Sequence, residues 1–359
     1  MLFKLLFKWC IRLTGKSKPG LEVTAEKPRV LIIPYNAIGD MVMTAPLFTA
    51  LKKAHPDWQL EVLCSSRNQD IIRYHPAIQR CWQVDLSLKP HRAWSQRAAR
   101  NELYSQQFDK IVYLEERIHW VALWRIHRLH AAEKLSLPFA QRLIEKKQID
   151  PVALGIFDRT IGADYEHTPH FTRRMMSIVP ALGGEIPHKM EYDLNLPHQK
   201  SGWGKVLPAG ERLLFNPCGT QSGNTLSSEQ ACSIVTQLES LDIKVCVFDL
   251  PDVRQKLADY PHQDRISYLA SGSISQAGDL IREMSLVLTT DTSIGHISSA
   301  LGITTFIMRS DEAWRANCDP LADNTCLLIG KNTLASLAPE LVLEQLQNFL
   351  SEHKPAACA

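Results

Sequence analysis

The amino-acid sequence predicts an α/β protein built from two doubly wound halves. Short apolar runs at residues 30–33, 60–64 and 111–114, with a weaker one near 82–86, alternate with helical stretches such as 45–54. A second series follows residue 210, where the strand-like runs are RLLFNP, KVCVFDL, SLVLTTD and ITTFIM. Strands that alternate with helices are typical of a parallel sheet covered by helices on both faces.

Several local signals support the elements of the second half. The segment 193–210 is rich in Pro, Gly, Ser and Lys, and we expect the domain boundary there. Ser227 and Ser228 precede a helical stretch that has Glu229 in its first turn, which is a capping pattern. Residues 332–350 predict a closing helix. Its apolar side is expected to carry Leu341, Leu343, Leu346 and Leu350.

Composition indicates a soluble protein, and the two halves of the chain have net charges of opposite sign. Hydrophobic residues make up 45% and charged residues 22% of the 359 residues, and no uncharged apolar run reaches the roughly 18 residues of a membrane span. Residues 1–190 hold 28 Lys and Arg against 18 Asp and Glu, a net +10, whereas residues 191–359 hold 12 against 20, a net −8. The basic half is therefore expected to bind an anionic partner. The alternative is that charged residues are distributed unevenly over the surface without a binding role.

The N-terminal segment 1–20 has the pattern of a short basic amphipathic helix. The basic residues recur every four positions, at Lys4, Lys8, Arg12 and Lys16, and would form one stripe on a helix. Most of the remaining positions are apolar. The interrupted apolar run and the lack of an A-x-A site argue against a secretory signal. Two interpretations stay open, a helix on an anionic membrane surface and a helix packed on its own domain.

Cysteine and histidine spacing predicts neither disulfides nor a metal site. The nine cysteines are scattered and never form C-x-x-C, which is typical of reduced thiols. His119, His127 and His130 have no matching Cys or carboxylate ligands, so we expect no metal and no cofactor.

Ligands of open α/β sheets bind beyond the carboxyl ends of the strands, so those positions are the candidate site residues. In the first half they are Asn36, Gly39, Asp40, Ser65, Ser66, Glu115 and Glu116. In the second half they are the runs 216–220, 249–252 and 290–296.

The second half has three features that favour a nucleotide site. In LTTDTSIGHISSALG, residues 288–302, a strand ends and a helix begins, and the free N–H groups of a helix N-terminus suit a pyrophosphate. The polar loop 216–227 also suits phosphate, and Asp252 can accept ribose hydroxyls. The alternative is that Asp291 or Thr292 merely caps the helix and that His296 packs inside.

The first turn of the chain has the opposite character. The stretch VLIIPYNAIGDMVMTAP, residues 30–46, has one glycine and then a carboxylate between strand and helix. A carboxylate repels phosphate, and a nicotinamide-dependent dehydrogenase would carry G-x-G-x-x-G at this turn. Asp40 is therefore either a plain N-cap or a group that serves a different ligand.

These motifs together resemble glycosyltransferase family 9, which contains the heptosyltransferases of lipopolysaccharide core assembly. The resemblance rests on VLIIPYNAIGDMVMTAPLFTALKKAHP, with its G-D turn and T-x-P helix, and on TDTSIGHISSALG near the C-terminus. It covers roughly residues 28–350. The chain departs from the family at Pro34 and Asn224, where basic residues often stand, at Ser293, where the family has glycine, and at Glu115-Glu116, where a Q-G pair is common.

The resemblance implies a GT-B fold, in which two Rossmann-like domains face each other across a cleft. The expected domains are an acceptor-binding domain at 28–192, a linker at 193–210, a nucleotide-sugar-binding domain at 211–335 and a closing helix at 336–352. The implied reaction is an inverting, metal-independent transfer of heptose from ADP-heptose to a lipopolysaccharide core acceptor, and the sequence contains no Asp-x-Asp.

The resemblance also implies roles for individual residues. Asp40 would be the catalytic base, which takes the proton from the attacking hydroxyl. The donor-binding residues would be Gly219, Thr220, Asn224, Asp252, Asp291, Thr292, Ser293, Gly295 and His296. The acceptor-binding residues would be Asn36, Gly39, Glu115 and Glu116.

The expected partners are a nucleotide sugar and an anionic glycolipid, with peripheral attachment to the cytoplasmic face of the bacterial inner membrane. No motif indicates nucleic-acid binding. Alternatives are a family member with another donor sugar and a non-catalytic sugar-nucleotide or glycolipid-binding protein. Trp120, Trp124, Arg125 and Arg128 form a second aromatic and basic stretch, which either lines the acceptor side or is a half-buried helix with solvated charges.

Overall fold

The computed structural model describes residues 27–86, 94–116, 120–138, 155–197, 203, 207–241 and 243–352. The predicted N-terminal helix, with Lys4, Lys8, Arg12 and Lys16, lies outside these residues. The chain divides into two compact units between Asn195 and Leu196.

The first unit contains a six-stranded sheet in the described part of the chain. Its strands are β1 Arg29–Ile33, β2 Gln59–Cys64, β3 Ile78–Gln83, β4 Gln107–Tyr113, β5 His130–Ser136 and β6 Arg159–Thr160. They lie in the order β3-β2-β1-β4-β5-β6, and every neighbouring pair is parallel. The weak run predicted near 82–86 corresponds to β3, which begins and ends earlier.

The sequence pattern missed β5 because polar residues interrupt it. Lys134 is only 2% exposed, and its ammonium donates to the backbone oxygens of Ile126 (3.1 Å) and His127 (3.0 Å). Burial lowers the pKa of Lys134 to about 8, against the opposing charge of Asp158. Lys134 is thus buried because it donates hydrogen bonds to backbone oxygens at the end of the preceding helix. From the sequence alone, a lysine at this position is expected on the surface.

Helices connect the strands of the first unit. They are Ile38–Ala54, Gln69–Ile72, Arg97–Tyr104, Trp120–His127, Phe171–Met176 and Ile178–Ala181. The first of them begins seven residues earlier than the predicted stretch 45–54 and contains Pro46. It is buried from Met41 to Leu51, and the helices Gln69–Ile72, Phe171–Met176 and Ile178–Ala181 contact it.

The second unit repeats the same architecture. Its strands are β7 Arg212–Asn216, β8 Lys244–Phe248, β9 Ile266–Leu269, β10 Leu286–Thr290, β11 Thr304–Ser310 and β12 Thr325–Gly330. Their order is β12-β11-β10-β7-β8-β9, and all neighbouring pairs are parallel. The sequence predicted β7, β8, β10 and β11 but missed β9, which has four residues, and β12, whose exposure alternates.

The helices of the second unit are Ser228–Leu238, Pro251–Lys256, Ile274–Arg282, Ser293–Ala300, Ala313–Ala316 and Pro339–Glu352. The predicted capping is present, but its second partner is Gln230. The Ser227 hydroxyl accepts from the Gln230 amide N–H (3.0 Å), and the Gln230 side chain accepts from the Ser227 N–H (3.1 Å). Glu229 lies beside this box in the first turn.

The closing helix is shorter than predicted, and its buried face includes the predicted Leu346 but not Leu341. It spans Pro339–Glu352, and Leu334–Ser336 forms a separate 3₁₀ turn before it. Val342 and Leu346 are buried, whereas Leu341 is 41% exposed. Val342 and Leu346 are four residues apart and share one face, and Leu341 is turned about 100° away from Val342, so it points to solvent.

Both sheets have a reversal in strand order. In the first unit it lies between β1 and β4, and in the second between β7 and β10. Connections leave these two strands on opposite sides, which opens a crevice at their carboxyl ends. The fold therefore brings residues that follow β1 and β4, and those that follow β7 and β10, to two defined positions.

Candidate functional site

The carboxyl ends of β7 and β10 are tied together by one buried side chain. Asn216, 4% exposed, is the last residue of β7. Its Nδ2 donates to Thr289 Oγ1 (3.0 Å) and lies 3.3 Å from Thr292 Oγ1. Asn216 thus spans the reversal in strand order and fixes the turn that follows β10.

The loop after β7 is closely packed at Gly219. A Cβ at this position would lie 2.0 Å from the backbone oxygen of Asn224, so only glycine fits without moving the loop. The Gly219 N–H donates to Thr225 Oγ1 (2.9 Å), which closes the loop from inside. Thr220, one residue later, is exposed.

Asn224 joins this loop to the turn after β10. It is 1% exposed, and its Nδ2 donates to the backbone oxygen of Asp291 (3.0 Å). Among the residues that the structure describes, Asn224 Oδ1 and the buried Thr290 Oγ1 have no hydrogen-bond partner. Buried polar atoms normally have partners, so these two are candidates to accept hydrogen bonds from a ligand or water.

The helix Ser293–Ala300 has no side-chain cap. Thr292 is its N-cap residue, but the hydroxyl lies against Asn216 and, at 3.2 Å, Thr289 Oγ1 instead of a first-turn N–H. The structure therefore contradicts the first half of the alternative, a cap formed by the side chain of Asp291 or Thr292, whereas the second half agrees with it, because His296 is buried. The N-terminus retains the partial positive charge that attracts anions.

Gly295 and His296 lie on the inner side of this helix. A Cβ at Gly295 would lie 2.9 Å from Ile307 Cδ1 and 3.3 Å from Thr289 Cγ2, so glycine is needed to seat the helix on β10 and β11. His296 is 7% exposed. Ser293 is partly exposed at the first helical position.

Arg315 is a buried cation at the same place, and it was not among the candidates predicted from the sequence. Arg315 is 4% exposed and follows β11. Its Nη1 donates to Asp291 Oδ2 (2.8 Å), its Nη2 to Gln221 Oε1 (3.0 Å) and its Nε to Ser310 Oγ (3.0 Å). No sequence signal marks this residue, because its main partners are 24 and 94 positions away.

Asp252 lies near the loop after β7, although it belongs to another element. It is exposed in the first turn of the helix Pro251–Lys256. Burial raises the pKa of the Cys218 thiol, and the charge of Asp252 raises it further, which indicates that the two residues are close.

In the first unit, Gly39 and Asp40 lie in the first turn of the helix Ile38–Ala54. The N-cap residue is Ala37, so the alternative that Asp40 is a plain N-cap is wrong. Asp40 is partly exposed, and its backbone oxygen accepts from Thr44 Oγ1 (2.7 Å). A carboxylate in the first turn is stabilised in its ionised form by the helix dipole.

The acceptor candidates divide into exposed and buried positions. Asn36 is partly exposed, with its Nδ2 3.4 Å from Asp85 Oδ1. Glu115 is partly exposed and accepts from the Tyr113 hydroxyl (3.1 Å). Glu116 is 6% exposed, and its N–H donates to the Tyr35 hydroxyl (3.0 Å), which connects the segments after β4 and β1.

Glu116 also forms a buried ion pair that the sequence did not reveal. Its Oε1 is 2.7 Å from Arg174 Nε, and the exposed fractions of the two side chains are 7% and 4%. The Arg174 guanidinium lies 4.7 Å from the centre of the Tyr165 ring. Burial, and then the charge of Glu116, raise the pKa of Tyr35 above its ordinary value. Glu116 therefore has a structural role, and its contact with an acceptor stays a prediction.

The aromatic and basic stretch forms the helix Trp120–His127 and the residue after it. Arg125 is 4% exposed and donates to the backbone oxygen of Leu86 (2.8 Å), so the expectation of solvated charges is wrong for this residue. The Arg128 guanidinium lies 4.9 Å from the centre of the Trp124 ring.

Two properties concern the described residues as a whole. None of their helices has both the length and the apolar character to cross a membrane. Within the same residues, no group of three or more His, Cys, Asp or Glu side chains could hold a metal ion.

Comparison with known proteins gives a result at the level of the fold. No family model and no curated protein sequence matches the chain. Solved structures do match. The E. coli heptosyltransferase WaaC with ADP superimposes with a TM-score of 0.70 at 16% identity, and the match covers 89% of this chain and 99% of that one. A glycosyl transferase family 9 protein from Veillonella parvula gives 0.73 at 13%, covering 93% and 100%.

A third structure, the E. coli ADP-heptose lps heptosyltransferase II, gives a TM-score of 0.72 at 15% identity and covers 91% of this chain and 100% of that one. The chain has the GT-B fold. The fold class that the sequence motifs implied is therefore confirmed. The chain contains two Rossmann-like sheets, each made of parallel strands, and the match covers the full length of the third neighbour.

Proposed function

We propose that this protein is a glycosyltransferase whose donor is a nucleoside diphosphate sugar, and that the donor is ADP-linked. The observation that carries the proposal is the polar site at the end of β7 and β10, where Asn216 and Asn224 join two loops beside an uncapped helix N-terminus. This is where doubly wound sheets bind nucleotides. One protein with the same fold is described with ADP, and its structure matches 89% of this chain.

The groups at this site have the chemistry that a donor sugar nucleotide needs. The N-terminus of the helix Ser293–Ala300 can hold a diphosphate and stabilise the charge that it gains when the sugar leaves. Asn224 Oδ1 and Thr290 Oγ1 are buried acceptors for hydroxyl or amino groups. Asp252 would accept from the ribose hydroxyls, as predicted from its position after β8.

Asp40 would act as the general base of an inverting transfer. In such a reaction the acceptor oxygen attacks the anomeric carbon, its proton passes to the carboxylate, and the bond from the anomeric carbon to the diphosphate oxygen breaks. The first-turn position of Asp40 supports this role, because the helix N-terminus keeps a carboxylate ionised at neutral pH. Asn36, Gly39 and Glu115 would contact the acceptor beside it.

The acceptor would be an anionic glycolipid, and the transferred sugar a heptose. The net charge of +10 in residues 1–190 supports an anionic acceptor for the first unit. A neighbour with the same fold is described with ADP-2-deoxy-2-fluoro heptose, at 17% identity over 89% of this chain. The basic N-terminal segment would bring the enzyme to the membrane that contains such a lipid.

The first experiment compares ADP, UDP and GDP as ligands of the purified protein by thermal unfolding. A nucleotide present at one hundred times its Kd adds about 2.7 kcal/mol to the free energy of unfolding. We expect ADP to raise the melting temperature more than UDP or GDP does. An Asp252→Asn variant should reduce the shift. Equal shifts with the three nucleotides, or none, would contradict an ADP-linked donor.

The second experiment measures ADP release from a panel of ADP-sugars, with and without a delipidated lipopolysaccharide core acceptor. Acceptor-dependent release is the result expected of a transferase. Binding of ADP without release from any sugar would instead support a non-catalytic sugar-nucleotide-binding protein. Acceptor-dependent release from an ADP-sugar other than ADP-heptose would identify a different donor.

A further inference from the structure

Arg315 connects three segments of the second unit through one buried guanidinium. It contacts Gln221 in the loop after β7, Asp291 in the turn after β10 and Ser310 at the end of β11. The side chain is 4% exposed. Because a guanidinium is planar, these three contacts fix the relative positions of the loops.

The charges around Arg315 explain why such a contact matters at this place. Asp291 immediately precedes the N-cap of the helix Ser293–Ala300, and its side chain is 21% exposed. An ionised carboxylate there opposes the attraction of the helix N-terminus for an anion. Arg315 neutralises it at 2.8 Å, while Glu312, a second partner of Arg315 at 2.9 Å, is 46% exposed and more strongly screened.

We propose that Arg315 is a positioning residue of the donor site, which cancels the charge of Asp291 and holds Gln221 and Asp291 in place so that a diphosphate can bind. The inference rests on the proposed function and deepens it. Asn224, which is 1% exposed and donates to the backbone oxygen of Asp291, brings no charge to the site. Charge compensation at the site comes instead from Arg315, which lies 91 positions further along the chain.

The role predicts a selective change in ligand binding. ADP, AMP and adenosine share the nucleoside but differ in phosphate charge, so a loss of charge compensation affects ADP most. In Arg315→Gln, the affinity for ADP should fall about 30-fold and that for adenosine by less than about threefold, because an unpaired carboxylate near the diphosphate repels it. Arg315→Lys keeps the charge and should keep most of the preference for ADP over adenosine.

A double variant tests whether Asp291 transmits the effect. When Asp291→Asn is added to Arg315→Gln, the carboxylate beside the helix N-terminus is gone, and the one that remains from the cluster, Glu312, is 46% exposed and screened by solvent. ADP affinity should then recover about tenfold relative to the single variant. ADP lacks the sugar that would be transferred, so any contact between Asp291 and that sugar does not enter this measurement.

Arg309→Gln is the matched control. Arg309 is also buried on β11, and its guanidinium forms two bonds of 2.8 Å to the carboxylate of Asp319. Its loss should lower the melting temperature without changing the ratio of ADP to adenosine affinity, because Arg309 contacts neither Asp291 nor Gln221 in the described structure.

The measurement is isothermal titration of each full-length protein with the three ligands, after its melting temperature has been recorded. The proposal is overturned if Arg315→Gln weakens ADP and adenosine equally, if Arg315→Lys loses the ADP preference as Arg315→Gln does, or if Arg309→Gln shifts the ratio equally. It is also overturned if the wild type binds no ADP. Failure of the proposed function is a separate result, in which the wild type binds ADP but releases none from any ADP-sugar.

Discussion

His75 should make the first unit less stable in mild acid. The ring is 2% exposed, and its Nδ1 accepts from the Ala77 N–H (3.2 Å). Thr49 donates its hydroxyl proton to Asp193 Oδ2 (2.7 Å), so the contact of 3.4 Å between Thr49 Oγ1 and His75 Nε2 requires the proton on Nε2. The neutral ring therefore satisfies both neighbours, whereas a proton on Nδ1 would face the Ala77 N–H.

The size of the effect follows from the pKa of His75. Burial lowers it from 6.5 to about 4, although the charge of Asp193 opposes the shift. Between these two values the unfolded chain binds more protons than the folded one, so the free energy of unfolding falls as the pH decreases from 6.5 to 4. The loss is about 2 kcal/mol at pH 5 and about 3 kcal/mol below pH 4, and it becomes negligible above about pH 7.

The assay is urea unfolding of the wild type and His75→Asn at pH 7.5, 6 and 5. Asparagine keeps an acceptor near the Ala77 N–H but does not titrate. The variant should be less stable than the wild type at pH 7.5 and should lose about 2 kcal/mol less between pH 7.5 and 5. Equal losses in the two proteins, or a ring that NMR shows to titrate above pH 6, would refute the assignment.

Three further predictions concern the proposed function. Asp40→Asn should lower turnover about 10²–10⁴-fold and leave ADP affinity unchanged, whereas the control Asp57→Asn, at an exposed position, should have no effect. Near-normal turnover in Asp40→Asn would exclude Asp40 as the base. Gly219→Ala should weaken ADP binding about tenfold, because its Cβ meets the loop backbone at 2.0 Å and overpacking displaces it. The control is Gly223→Ala in the same loop, where a Cβ meets nothing within 4 Å; equal affinities would show that the loop does not form the site. Deletion of residues 1–19 should reduce sedimentation with anionic vesicles at low salt, because up to ~1 kcal/mol of membrane-binding free energy is lost per basic residue, and should leave transfer to a soluble acceptor intact. Unchanged sedimentation would indicate that this segment packs on its own domain.

The sequence by itself determined the class of fold and the positions of the candidate loops. Buried parallel strands must be nearly continuous apolar runs, so β1, β4, β7 and β10 are visible in the pattern. Turn and cap residues act on their immediate neighbours, which is why capping at Ser227 could be predicted, although its partner is Gln230 and not Glu229. Elements that depend on a special environment were missed, as Lys134 in β5 illustrates.

Only the tertiary structure decided which loops meet and which charges are paired. The order of strands depends on how the connections cross the sheet, and the local pattern does not encode it. Asn216 therefore reaches Thr289, 73 positions away, only because β10 lies beside β7. Arg315 forms its hydrogen bond with Asp291 across 24 positions of the sequence, and Thr49 forms its bond with Asp193 across 144. Such pairings arise from packing at long range, whereas hydrophobic periodicity and capping reflect interactions within a few residues, and the sequence pattern records only the latter.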